Sequence, residues 1–201
     1  MITIKHTDEL DNLVTEQQLD ELKNYYKLIY INNILKKKEL YKNKTLFTID
    51  YYLDTGETES QAITIIQSSY PSIPFGIIEK SSHGTYNIEK ERFFLDSGVF
   101  EDFDVETLFD DQGRIICEIE TTHESPENDI ETKKFIYDYE GYDELECTYD
   151  GDGNIEGVSG YGSPFASEYD IAPVSDFPMF FPNFITDNPY YTGDTFLPPV
   201  V

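Results

Sequence analysis

Basic residues are scarce in this chain: Lys+Arg number 14 against Asp+Glu 40, for a formal net charge of -26 and a pI near 4.1. A surface of that sign repels a phosphate backbone, which argues against direct binding to nucleic acid. Cysteine is almost lacking too, with only Cys117 and Cys147, so no disulfide framework staples the fold. No apolar run approaches the roughly 20 residues that span a bilayer, and no charged-then-apolar leader opens the chain. The expectation is a protein of the reducing cytoplasm that does not enter a membrane.

Aromatic residues, in contrast, are abundant. The 16 Tyr and 14 Phe exclude the reading of an acidic disordered chain, which would be poor in aromatics. A length of 201 residues suffices for a core within a single domain. The excess acid itself has a plain explanation in solubility or a salt-adapted host, and a functional one in attraction to a cationic partner.

The pattern along the chain predicts an α+β, mostly antiparallel β protein. Residues 1–33 form a helical N-terminal part: Thr15 and Gln18 make a capping box, and Leu19, Leu22, Tyr26 and Ile29 recur at helical spacing. The cluster Lys36, Lys37 and Lys38 that follows reads as solvated charge on a strand or helix end. A β-hairpin meander then fills 34–160, with strands at Leu46–Leu53, Ala62–Ile66, Arg92–Leu95, Ile115–Glu120, Phe135–Glu140 and Glu144–Tyr149. In the last pair apolar and acidic residues alternate, as in a sheet with one wet face, and Gly141-Tyr142-Asp143 joins them as a hairpin. Residues 161–201 hold prolines too dense for a central strand or helix, among them Pro173, Pro178, Pro182 and Pro189. With their many aromatics, they read as an irregular tail docked on the sheet, the alternative being a proline-rich motif for a partner.

The turns repeat. An aromatic stands four positions before a glycine, with an aspartate between, in Tyr52–Gly56, Phe94–Gly98, Phe109–Gly113 and Tyr149–Gly153. The aromatic ends a strand in the core, the aspartate caps the turn and the glycine supplies positive φ, so each unit reads as one hairpin. Phe109–Ile115 and Tyr149–Ile155 match over seven positions and resemble the YD repeats of Rhs-type toxin shells. The stretch from Leu40-Tyr41-Lys42-Asn43-Lys44 through Tyr51–Glu57 resembles the MORN-variant repeats of bacterial toxin-antitoxin loci. The glycines at 56, 98, 113 and 153 keep no regular period, which argues against a solenoid.

Catalytic and metal chemistry finds little support. His6, His83 and His123 are scattered and read as surface residues. His123 is the one that could act as a base beside a carboxylate, following Glu120-Thr121-Thr122. Cys117 and Cys147 fall on the apolar sides of their strands and read as core residues. Asp150-Gly151-Asp152-Gly153-Asn154 opens like a calcium loop but continues with Ile155 where glycine is needed and Tyr161 where glutamate is, so it reads as a turn. Carboxylate pairs for glycoside hydrolysis have no distinctive spacing and no tryptophan for stacking. The expectation is a protein that is not an enzyme and uses no cofactor or metal.

The charge pattern does point somewhere. After Lys134 the acids run unopposed, and Asp138 and Glu140 share the wet face of their hairpin with Glu144 and Glu146, where like charges repel. Surfaces selected only for stability mix the signs. Asp138, Glu140, Tyr142, Asp143, Glu144, Glu146, Asp150 and Asp152 are therefore the candidate partner-binding residues. The resemblance to toxin loci and the acid together imply an immunity protein that occludes the basic surface of a bacterial toxin, such as a nuclease. The alternatives are a structural or interaction protein related to repeat shells, and a phage inhibitor that mimics DNA.

Overall fold

The computed structural model describes residues 1–123, 128–137, 143–150, 152–159, 172–173, 189–193 and 195–198. In chain order they form β1 (Ile2–Thr7), β2 (Leu13–Val14), α1 (Glu16–Leu19), β3 (Tyr25–Ile31), β4 (Ile34–Lys42), β5 (Thr45–Tyr52), α2 (Glu59–Ser69), β6 (Phe75–His83) and β7 (Tyr86–Phe94). These are followed by β8 (Phe100–Phe109), β9 (Ile115–Thr122), β10 (Asp129–Tyr137), β11 (Asp143–Tyr149), β12 (Ile155–Ser159), β13 (Ala172–Pro173) and a 3-10 turn at Pro189–Thr192. Two compact units divide them: Met1–Lys80 with Lys90–Phe103, and Ser81–Glu89 with Asp104–Val201.

In the first unit, which takes only part of β6, β7 and β8, the strand order is β2-β1-β3-β4-β5-β6-β7-β8. The pairs from β1 to β5 are antiparallel. Asn32-Asn33 and Asn43-Lys44 join β3 to β4 and β4 to β5 with both φ values positive, the geometry that matches strand twist in two-residue hairpins. β5 and β6 instead run parallel, with Ile49 opposite Phe75 and Tyr51 opposite Ile77, and α2 supplies the crossover. Ala62 and Ile66, one helical turn apart, press onto Ile49, Tyr51, Phe75, Ile77 and Phe94, and this is the main apolar core.

The expected α+β fold, an N-terminal helix followed by hairpins, is wrong on both helices. The Thr15 capping box does form, but α1 is a single turn, and Tyr26 and Ile29 lie in β3. The three Tyr and two Ile of the run Tyr25–Ile31 favour a strand, and the helical spacing is incidental. Ala62–Ile66, expected as a strand, lies inside α2, whose own capping box joins Thr58 and Gln61. The protein is mostly β with a mixed sheet, not an antiparallel meander behind a helix.

In the second unit β8-β9-β10-β11-β12-β13 follow in order, with antiparallel ladders from β9 to β13. Leu108, Cys117, Thr132, Lys134, Cys147 and Tyr149 are buried. The inward residues of β10 are thus Thr132 and Lys134. A bulge in β11 then shifts the register: Ile136 faces Leu145 and Tyr137 faces Asp143, leaving Glu144 as the extra residue.

The repeated turns share one backbone geometry, though not at every position expected. At Asp110 and Asp150 the aspartate N–H bonds the carbonyl four residues on (2.9 Å each), and the N–H of Gly113 or Gly153 donates to the carbonyl of Asp110 or Asp150 (3.1 and 3.0 Å). The glycines have φ near +80° (81° and 79°). Leu95–Val99 closes in the same way around Gly98. Asp8–Asn12 does too, with Asp11 at φ 59° in the glycine's place, so this turn carries no sequence signature of the pattern. Tyr52–Gly56, in contrast, is no hairpin, because it leads from β5 into α2.

Candidate functional site: an acidic sheet face

Charge is distributed unequally between the units. The first has 16 acids against 11 bases, a net of -5; the second has 24 against 3, a net of -21. All three cations of the second unit are engaged. Arg114 bonds Asp110 at 2.7 Å and stacks over Tyr137, Lys133 reaches Glu120 at 3.3 Å and Glu131 at 3.2 Å, and Lys134 is fully buried.

The registers assemble an acidic face from three strands. Lys133 stands between Glu118 of β9 and Thr148 of β11, Glu120 faces Glu131, and Glu146 faces Phe135. Adjacent strands are about 4.8 Å apart, so four carboxylates crowd one ammonium. The Glu118 carboxyl is pushed up, first by partial burial and then by Glu120, with Glu146 and Glu131 adding to it against the pull of Lys133. Burial would lower the Lys133 ammonium, but Glu131 and Glu120 outweigh it and hold it above its ordinary value. Glu120 and Glu131 are directly opposed like charges, an arrangement that costs stability. Lys133 offsets part of that cost.

Of the residues expected from sequence, Glu146 lies on this face. The backbone of Asp143 and Glu144 belongs to β11. Asp150 serves its own turn: its Oδ1 accepts from the N–H groups of Asp152 (3.0 Å) and Asn154 (2.8 Å). These donors hold its carboxyl below the usual range. Asp152 is exposed in the same turn. Asp138, Glu140 and Tyr142 lie outside the described residues, as does most of the tail. The sequence reading missed Glu118, Glu120 and Glu131. The first two were legible as the outward partners of Cys117 and Ile119; Glu131 needed the true extent of β10.

The first unit uses its cations differently. A bulge pairs Ile29 with Lys37 and Tyr30 with Leu35, skipping Lys36 and turning it inward. Expected as solvated, Lys36 is buried: it donates to the Tyr52 carbonyl (2.9 Å) and to Glu57, bonds Asp54 (2.9 Å) and lies over the Tyr51 ring. Glu57 also accepts from the Tyr51 hydroxyl at 2.7 Å. Burial pushes that phenol up to about 12, with the Glu57 bond adding to it. Beside this cluster, a cavity of about 500 Å³ is lined by Tyr52, Leu53, Asp54, Glu57, Glu79 and Lys80 among others. The other lysines of the cluster are likewise engaged, Lys37 with the Tyr70 hydroxyl and Lys38 over Tyr26.

His123 meets a carboxylate, but it is Asp104 (Nε2 to Oδ2, 2.8 Å) and not its neighbour Glu120. His6 packs edge-on against Tyr25, and burial with nearby Lys27 lowers its pKa. Burial pushes the thiols up, to about 11 for Cys117 and about 12 for Cys147. Among the described residues no group of three or more His, Cys, Asp or Glu is placed to hold a metal ion, and no helix is long and apolar enough to cross a membrane. Compared with protein-family models, curated proteins and solved structures, the chain matches none.

Proposed function

We propose that this protein is an acidic inhibitor of the immunity type, which captures a cationic toxin and covers its basic active-site surface, a nuclease cleft being the best-matched case. The observation that carries the reading is the charge of the second unit, 24 acids against 3 bases, each of the three turned inward or paired. A surface whose cations are consumed internally presents its acid unmixed, and that favours fast, salt-sensitive encounter with a basic partner. The retention of the Glu120–Glu131 opposition, at a cost to stability, supports selection for something other than folding.

The test is inhibition. The protein is titrated into cationic toxins secreted by the source cells, and residual toxin activity and association rate are followed against ionic strength. Stoichiometric inhibition is expected, with association slowing steeply as salt rises. Replacing Glu118, Glu120, Glu131 and Glu146 by glutamine should slow association and flatten its salt dependence while the fold survives. Inhibition with unchanged rates and slopes would move the interface off this face, and failure to inhibit any of the toxins would refute the reading.

A further inference from the structure

The C-terminal segment 190–193 is built around one side chain. Lys134 is 0% exposed, and its Nζ donates to the carbonyls of Tyr190 and Gly193, both at 2.6 Å. The ammonium also faces the Tyr190 ring at 3.8 Å and the Tyr149 ring at 5.2 Å. Two tyrosines lock the same turn: the Tyr149 hydroxyl donates to the Tyr191 carbonyl and the Tyr191 hydroxyl to the Phe135 carbonyl, both at 3.1 Å. Tyr190 closes the segment on itself by donating to the Phe196 carbonyl at 2.8 Å. Directly opposite Lys134 on its two flanking strands stand Cys117 and Cys147, both fully buried, with the Tyr190 side chain against Cys117.

We infer that residues 189–193 and 195–198 form a strap seated on the Lys134 ammonium, and that lifting the strap and uncovering Cys117 and Cys147 are one event. The seat is polar where a tail is ordinarily held by apolar packing, and this makes it two-state. An ammonium out of water needs its donors satisfied, and a buried carbonyl needs a donor. A half-lifted strap would leave both unmade, so the stable arrangements are a docked strap with Lys134 buried, or a lifted strap with Lys134 hydrated. Opening adds a cation and two thiols to the surface of a unit that otherwise presents acid. No step of the proposed inhibition uses this device, and it stands or falls separately.

The experiment is thiol labelling of the full chain by a chromogenic disulfide in native buffer, for wild type, Lys134→Met and Tyr190→Ala, repeated in low urea with far-UV circular dichroism as the control. Methionine keeps the unbranched bulk of lysine, one atom shorter, but leaves the Tyr190 and Gly193 carbonyls without a donor, whereas Tyr190→Ala keeps both carbonyls and removes the ring over the ammonium, the bond to Phe196 and the side chain against Cys117. In both variants the two thiols should react together, about tenfold faster or more than in wild type, with little dependence on low urea and an unchanged spectrum, as local opening requires. Thiols as protected as in wild type, reaction of one thiol alone, or rates that rise steeply with urea would overturn the inference. Should Lys134→Met fail to fold, Tyr190→Ala decides by the same criteria.

Discussion

The turn at Asp110 offers a clean measure of what the repeated aspartate contributes. Its Oδ1 accepts the N–H groups of Gln112 and Arg114, both at 2.9 Å, and its Oδ2 accepts Arg114 Nε at 2.7 Å. The residue is 8% exposed, so water cannot replace all of these bonds after truncation. A charged acceptor gives a buried bond a net worth of roughly 1.5–3 kcal/mol, and the turn N–H groups and the Arg114 guanidinium, itself partly exposed, recover much of their share from solvent. Asp110→Ala should therefore cost about 2–3 kcal/mol, read as a lowered urea midpoint at unchanged slope. Asp110→Asn keeps an acceptor at Oδ1 and should cost less. The built-in control is Asp150→Ala, which removes the same two backbone bonds, with an Asn154 amide in place of the Arg114 guanidinium, from a turn open to water, and should cost less than Asp110→Ala. Burial would raise the Asp110 carboxyl, but the Arg114 and Gln112 donors outweigh it and depress it. A depressed carboxylate stabilises above its unfolded value near pH 4, and that stabilisation is lost as pH falls through the folded value. The acid destabilisation of wild type should accordingly shrink in Asp110→Asn. An Asp110→Ala midpoint equal to wild type, or no lower than that of Asp150→Ala, would refute the assignment of the turn's stability to this carboxylate.

Gly113 has φ 81° and nothing within 4 Å of where a Cβ would stand, so Gly113→Val should lose about 1–3 kcal/mol through backbone strain alone. Gly113→Asn should recover much of that loss in thermal melts, because asparagine tolerates the left-handed region. Lys36→Ala strips the cation from Glu57, whose side chain is 14% exposed, and should cost about 3 kcal/mol in chemical denaturation. A wild-type midpoint would mean that Glu57 finds its compensation elsewhere.

The strands at β5, β9 and β11 were legible because alternation and turn residues agreed there. The errors came where local signals conflict. Tyr25–Ile31 satisfies both the helical and the strand period, and only the choice of β-branched and aromatic residues separates the two. Thr58–Gln61 is the same capping box as Thr15–Gln18, yet the first opens eleven residues of helix and the second four, because Ala62 and Ile66 have a sheet to pack on. Bulges are invisible to pattern reading, since one skipped residue turned Lys36 from the expected solvated charge into a buried one. The acidic face was half legible: Glu146 follows from alternation in β11, but its companions Glu118, Glu120 and Glu131 come from strands that only the register brings beside it.

Composition alone gives a net charge of -26, but the fold decides where that charge is felt. Lys36 and Lys134 are spent inside the two units, each held by carbonyls and rings, and Lys133 and Arg114 are closed on neighbouring carboxylates. Burying an ammonium is expensive, and an apolar side chain of equal size would often serve the core as well or better. Burying Lys134 beneath a surface rich in acid therefore lowers the second unit's stability twice, by desolvation within and by like-charge repulsion without. Neither cost benefits folding. Both raise the negative potential of the second unit's surface, whose reach is set by the Debye length of about 8 Å at physiological salt. A surface with that sign and range makes the salt dependence of partner capture, rather than its affinity at one salt concentration, the quantity that separates a binding role from mere solubility.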